Sequence, residues 1–343
     1  MPSLLRGFSA PVILDAGQGD EELRFLMAND PDPFVRWEAG HSYATRLMLA
    51  LIGGHAAGRA PTLDRGLADA FAATLAAPAL ERAFVAQALV LPAEAFVGEQ
   101  MAVIDVDGIH AVRELLRKAL GEALQAQWTE SYASYQSNAP YSIEAEAIGR
   151  RALKNLALAY LVASSSEQGG SLCAAQLARA DNMTDRIAAL ALLAESDLPE
   201  RESALTGFYD RWRGDALVID KWFALQAQTQ RPDAVDAVSR LLDHEAFTLK
   251  NPNRARSLIG AFAGGNPTGF HRADGAGYAL VADQLLALDR LNPQVAARMM
   301  TPFGRWRRYD AGRQELMRAQ LERILATPSL SRDSFEIASK SVK

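Results

Sequence analysis

The sequence predicts an all-α fold made of antiparallel helix pairs, and three observations support this. Apolar residues recur at three- and four-residue steps along nearly the whole chain after about residue 20. Strand-type alternation is confined to one short stretch, and the connections between helical segments are short, as between antiparallel neighbours. The helix pairs are roughly 35 to 45 residues long without a fixed residue-level repeat, which points to a degenerate HEAT- or armadillo-like superhelix, with a compact helix bundle as the alternative.

The exception comes first in the chain. Phe8, Ala10, Val12 and Leu14 alternate with other residues as a strand does, yet no partner strand follows. A lone strand leaves its backbone donors and acceptors unpaired. Residues 1–15 are therefore expected to be an extended remnant of a preceding β domain, with 16–343 forming one helical domain.

The first strong helix begins at Asp32-Pro33, where the aspartate can cap free N–H groups and proline suits the first helical position. From there Phe34, Trp37, His41, Ala44, Met48 and Leu51 step along one face until Gly53-Gly54, so that face is expected to be buried. Further helices are expected near 63–75, 79–90, 108–135 and 143–163. The soft stretch 164–170, SSSEQGG, reads as a loop and as a possible internal break. Beyond it, helical patterns occupy 171–180, 183–195, 199–212, 215–228, 233–242, 253–263, 276–290, 293–301, 311–326 and 332–340.

Composition narrows the function. With 343 residues, 49% apolar and 22% charged, the chain has ample material for a core and reads as an ordinary soluble protein. A formal charge of -5 argues against a general nucleic-acid binder. No stretch approaches about 18 uninterrupted apolar residues, so no membrane contact is expected. Cys173 is the single cysteine, which excludes an intrachain disulfide and fits the reducing cytoplasm.

Catalytic motifs are incomplete. A helical zinc site needs two histidines one turn apart with a glutamate between, and His244-Glu245-Ala246-Phe247-Thr248 supplies only the first half. His41, His55, His110 and His271 are scattered without ligand spacing. There is no G-x-S-x-G elbow, and Cys173 lies in an apolar helical run. The glycine-rich stretch 260–269 lacks the G-K-[ST] ending of a phosphate loop and reads as an interhelical turn. Arg305-Trp306-Arg307-Arg308-Tyr309 interleaves cations and rings, but on an acidic chain these arginines are expected to pair with carboxylates such as Asp310 and Glu315.

Several longer stretches carry a resemblance. NPNRARSLIGAFAGGNPTGFH at 251–271, NPQVAAR at 292–298 and RRYDAGRQELMRAQLE at 307–322 resemble the C-terminal helical domain of bacterial zinc aminopeptidases of the aminopeptidase N type, which are M1-type gluzincins. PSLLRGFSAPV at 2–12, DNMTD at 181–185 and VIDKWF at 218–223 extend the likeness, in order, over essentially the whole chain. The resemblance implies that the zinc and the catalytic residues belong to an upstream domain, so this chain has neither catalytic residues nor a metal site of its own. It also implies that the helical domain caps the active-site chamber and controls access of peptide substrates. Its partners are then the upstream catalytic domain and peptides.

By the same resemblance Arg256 and Arg298 match positions facing the chamber, with Arg254 a weaker substrate-binding candidate. A guanidinium suits such a role because it can bond both oxygens of a carboxylate. The fold by itself also fits a different function, a free-standing helical-repeat scaffold for protein partners.

Overall fold

Helix forms wherever the sequence gives it an apolar stripe and a cap, and the computed structural model describes this for residues 2–12, 14 and 16–343. The described residues form helices, turns and connecting loops and contain no strand. None of those helices is long and apolar enough to cross a membrane. The chain divides into two compact units, one of Met1–Gln100 with Gly108–Leu193 and one of Met101–Asp107 with Ala194–Lys343.

In the first unit Asp32 caps the Pro33–Ala56 helix as expected, its carboxylate accepting from the Val35 N–H at 3.0 Å. The buried surface of that helix coincides with the predicted face only in part, at Ala44 and Met48. Val35, Ala39, Tyr43, Ala44, Met48 and Ile52 pack inward, whereas Phe34, Trp37 and His41 lie half-exposed. The helix buries residues around much of its circumference, since Val35 and Ala39 lie about half a turn from Met48 and Ile52 and all four are buried.

The stretch 164–170 is not a loop. The Ala145–Ser164 helix is followed after Ser165 alone by the Ser166–Arg179 helix. Gly169 is there for contact rather than flexibility: a Cβ on it would run into the backbone of Val162, so glycine allows the two helices to cross closely. The helix expected over 108–135 is divided at Leu124 into Val106–Ala123 and Gln125–Ser134. Behind them Trp128 and Tyr160 stack at 4.4 Å with their planes 9° apart. The indole donates to the Leu120 carbonyl at 3.2 Å and the phenol to that of Leu89 at 2.8 Å, so both polar ends are satisfied in the core. Nearby, Lys154 and Asp185 form a buried ion pair at 2.7 Å, to which Asn155 and Asn182 also donate.

The alternating N-terminal residues do not form a strand in the described part. Arg6–Phe8 make a short 3-10 turn in which Leu5, Gly7 and Phe8 all take positive φ, at 56°, 62° and 53°. With no neighbouring strand, the backbone bonds locally instead: the Phe8 N–H donates to the Leu5 carbonyl at 3.0 Å and that of Gly7 to Asp32 Oδ2 at 2.9 Å.

The second unit is built around Phe223, Phe262, Phe270, Tyr278 and Phe303, all fully buried. Asn266 lies at its centre, donating to the carbonyls of Ala227 and Thr229 while accepting from the Gly269 N–H at 2.9 Å. The glycine-rich stretch is thus mostly helix, turned once at Asn266 between Ala261–Gly265 and Pro267–Phe270.

Candidate functional site

Two Asn-Pro helix starts build the site. Asn251 accepts from the N–H groups of Asn253 at 3.0 Å and Arg254 at 3.4 Å, and Asn292 accepts from that of Val295 at 3.2 Å. Each proline occupies the first helical position, where its missing N–H costs nothing. The first start runs from Pro252–Ala255 directly into one π-helical segment, Arg256–Gly260, before regular helix resumes over Ala261–Gly265. An added residue per turn re-aims the side chains around it, and such segments recur at functional sites.

Arg254 and Arg256 consequently have different surroundings. Arg254 is turned inward, its Nε donating to Asp220 Oδ1 at 2.6 Å and its other nitrogens to the carbonyls of Ala216 and Ala246. Its guanidinium also lies 5.0 Å from the centre of the Phe223 ring. With every edge engaged and the side chain 7% exposed, Arg254 is a pillar of the unit and has no free edge for a ligand. This places it apart from the other two candidates.

Arg256 and Arg298 come together. Forty-two positions apart in sequence, they line one open cleft of about 370 Å³ with Pro252, Asn253, Asn292, Gln294 and Val295. Both arginines are exposed. Asn253 Oδ1, at 3.3 Å, accepts from Arg256. The lining offers two guanidinium groups and three amides but no carboxylate, thiol, hydroxyl side chain or imidazole. Such a site can hold an anionic or amide-bearing ligand by paired hydrogen bonds. It has no group able to act as nucleophile or general base. Asn253, Asn292 and Gln294 were missed by the sequence reading, although the repeated Asn-Pro start was visible beside both arginines.

The other sequence candidates have structural roles. His244 sits in an aromatic box of Tyr209, Trp222 and Phe223, with ring centres 4.8, 5.1 and 5.8 Å away. Its Nδ1 accepts from the Ala246 N–H at 3.1 Å, and burial lowers its pKa. Among the described residues no three His, Cys, Asp or Glu side chains converge in a way that could hold a metal ion. Cys173 is buried, which pushes its thiol up to about 12.

In the Arg305–Tyr309 patch, Trp306, Arg307 and Arg308 donate to backbone carbonyls of the same unit. Trp306 donates to the Ser341 carbonyl at 2.8 Å, and Arg307 donates to those of Ser341 and Val342 at 3.2 and 2.9 Å. Arg308 donates to the Met101 carbonyl at 2.7 Å, while Tyr309 is buried against His271. The free carbonyls at the end of the last helix need donors, and Trp306 and Arg307 supply them. Asp310 pairs instead with Arg313 at 2.9 Å.

Comparison with known proteins places this geometry. A family model described as "Domain of unknown function (DUF3458_C) ARM repeats" matches residues 20–343. The chain belongs to this ARM-repeat family. It is 39% identical over 343 residues to aminopeptidase N of Escherichia coli strain K12, an alignment that takes in all of this chain and 39% of the relative. It is 40% identical over 342 residues to aminopeptidase N of Caulobacter vibrioides, again covering 39% of the relative. A crystal structure of Legionella pneumophila aminopeptidase A in complex with aspartic acid superposes with a TM-score of 0.89 and 30% identity, over 99% of this chain and 40% of that one. The chain thus spans about two fifths of the length of these relatives, and it aligns with the last 39% of bacterial aminopeptidase N.

Proposed function

We propose that this chain serves as the C-terminal helical domain of a cytoplasmic, zinc-dependent aminopeptidase that removes N-terminal residues from peptides. In this reading the domain bounds the active-site chamber, limits which chains enter, and contributes binding but no chemistry. The observation that carries it is the cleft in which Arg256 and Arg298 converge without a neutralising carboxylate in the lining, in a chain aligned with the last 39% of aminopeptidase N.

An aminopeptidase holds the amino end of its substrate at the reacting atoms, so the far end of a short peptide carries a carboxylate into the surrounding chamber. Two exposed guanidinium groups on one cleft suit that carboxylate, each able to bond both oxygens. The three amides can meet the last peptide groups through their own donors and acceptors. Zinc does not fit this chain's described residues, because the His244 ring is enclosed by aromatic side chains and Thr248 stands where a second histidine would be needed. The metal and the residues that activate water belong, in this reading, to a part of the enzyme outside the chain.

The test is Arg298→Ala in the complete polypeptide that carries this chain. Charge-assisted hydrogen bonds contribute about 1.5–3 kcal/mol, so kcat/KM on di- and tripeptides should fall roughly ten- to hundredfold. Peptides amidated at the C-terminus should respond less. Unchanged kinetics on the free di- and tripeptides would refute the contact. A reading frame without a peptidase segment ahead of residue 1 would refute the wider assignment.

A further inference from the structure

The two residues on either side of Ala255 are held in opposite directions. Arg254 is drawn inward by Asp220, whose Oδ1 accepts from its Nε at 2.6 Å, while the carbonyls of Ala216 and Ala246 take its other nitrogens. Successive side chains on a helix stand about 100° apart, so a residue two positions on points about 200° away. Whatever fixes Arg254 inward therefore turns Arg256 outward, and that direction brings Arg256 onto the cleft it shares with Arg298. Asp220 is not among the residues that line the cleft, so it can act there only through its neighbours.

The backbone that follows needs such an anchor. From Arg256 the helix takes an extra residue per turn, with the Ala261 N–H reaching back five positions to the Arg256 carbonyl. Such wide turns are rare and compete with the ordinary α turn. Closing this one would rotate the residues before it by about 100° relative to those after it. Those after it are fixed by Asn266, which donates to the carbonyls of Ala227 and Thr229. Those before it are fixed by the Arg254–Asp220 pair. The Ser257 hydroxyl joins the two sides of the entry, donating to the Arg254 carbonyl at 2.9 Å and lying 3.5 Å from Asp220 Oδ1. On the same turn a Cβ added to Gly260 would lie 3.7 Å from the Arg256 Cβ and 3.8 Å from Met299 Cε, so the turn runs beside the helix that carries Arg298.

Resting on the reading given above, we propose that Asp220 is a positioning residue for recognition of the substrate's C-terminal carboxylate. By anchoring Arg254 it sets the register of the wide turn and so aims Arg256 at the cleft.

The test uses the complete polypeptide and compares di- and tripeptides bearing a free C-terminal carboxylate with the same peptides amidated. Replacing Asp220 and Arg254 together by leucine removes both buried charges, which leaves neither stranded, yet abolishes the anchor. KM on the free peptides should rise about tenfold, while kcat and both constants on the amidated peptides stay within about twofold of the parent. A purely structural role would instead lower apparent kcat on every substrate alike and leave KM unchanged. Parent KM on the free peptides in this variant, shown to be folded by circular dichroism, would overturn the proposal. If the leucine pair is unfolded at the assay temperature, Asp220→Asn decides by the same comparison: it keeps an oxygen facing Arg254 and should show the same KM split at smaller size.

Arg256→Ala separates this proposal from the reading beneath it. It should itself raise KM on the free peptides, and the leucine pair should add nothing further on that background, because both act through one guanidinium. Additive effects would overturn the positioning role. An effect of Arg256→Ala without one from the leucine pair removes only that role, whereas no effect from either removes the cleft reading as well.

Discussion

Replacing Arg254 by alanine should unfold the second unit at a markedly lower temperature while the same change at Arg256 should not. The Arg254 side chain is 7% exposed and its partner Asp220 15%, with 2.6 Å between nitrogen and oxygen. The alanine variant strands the Asp220 carboxylate beside the Ser257 hydroxyl, 3.5 Å away, and removes the donor from two buried-side carbonyls. Breaking a buried pair on one side costs about 3–5 kcal/mol. For a unit of this size, each kcal/mol moves the midpoint by about 2–4 °C, so a fall on the order of 10 °C is expected. Arg256 is exposed, and its alanine variant should stay within about 0.5 kcal/mol, or roughly 2 °C. Thermal unfolding followed by circular dichroism distinguishes these outcomes. Replacing Arg254 and Asp220 together by apolar residues should recover much of the loss, since no buried charge is then left alone. A midpoint for Arg254→Ala within about 2 °C of the parent would refute the division of labour between the two arginines.

Two further outcomes follow from the packing. Burial, with Arg313 and Arg305 adding to it, lowers the pKa of His271 to about 3, and its Nδ1 lies 2.9 Å from the Tyr278 hydroxyl. The unfolded histidine takes up its proton near 6.5, so below that pH the unfolded chain binds more protons than the folded one. The contribution is therefore fully present above about pH 6.5 and is lost as pH falls toward 3, by at most about 1.4 kcal/mol per unit. Urea unfolding of His271→Gln between pH 4 and 7 should show a shallower dependence than the parent; identical slopes would contradict the assignment. Gly169→Val should cost at least about 1–3 kcal/mol through overpacking against Val162, measured as a lower urea midpoint for the first unit. An unchanged midpoint would mean that the helix crossing yields without cost.

Much of the fold was legible because caps and periodicity are local. Asp32-Pro33, Asn251-Pro252 and Asn292-Pro293 each announce a helix start, and each caps one in the structure. What escaped was decided by neighbours. Whether Phe34 or Val35 faces the core depends on what packs against that end of the helix, and both residues are apolar. Gly169 and Gly170 look like a flexible joint in sequence, yet Gly169 is a contact point between helices.

The site was legible in the same uneven way. Arg256 and Arg298 were picked out through resemblance, and the structure brings them onto one cleft. Arg254, two residues away, is the weaker candidate of that resemblance, and the sequence does not reveal the π segment that follows it. Its partner Asp220 lies in VIDKWF, a stretch visible in the sequence, but the pairing spans 34 residues and belongs to tertiary structure.

The measurement that bears most directly on the proposed function is hydrolysis of alanyl- and leucyl-anilide with added zinc, first by this chain alone and then with a separately produced fragment of the preceding part of the proposed enzyme. The account predicts activity that depends on the upstream fragment, with none above background from the chain alone. Turnover by the isolated chain would contradict it, since that would place the chemistry among residues here assigned to binding and support.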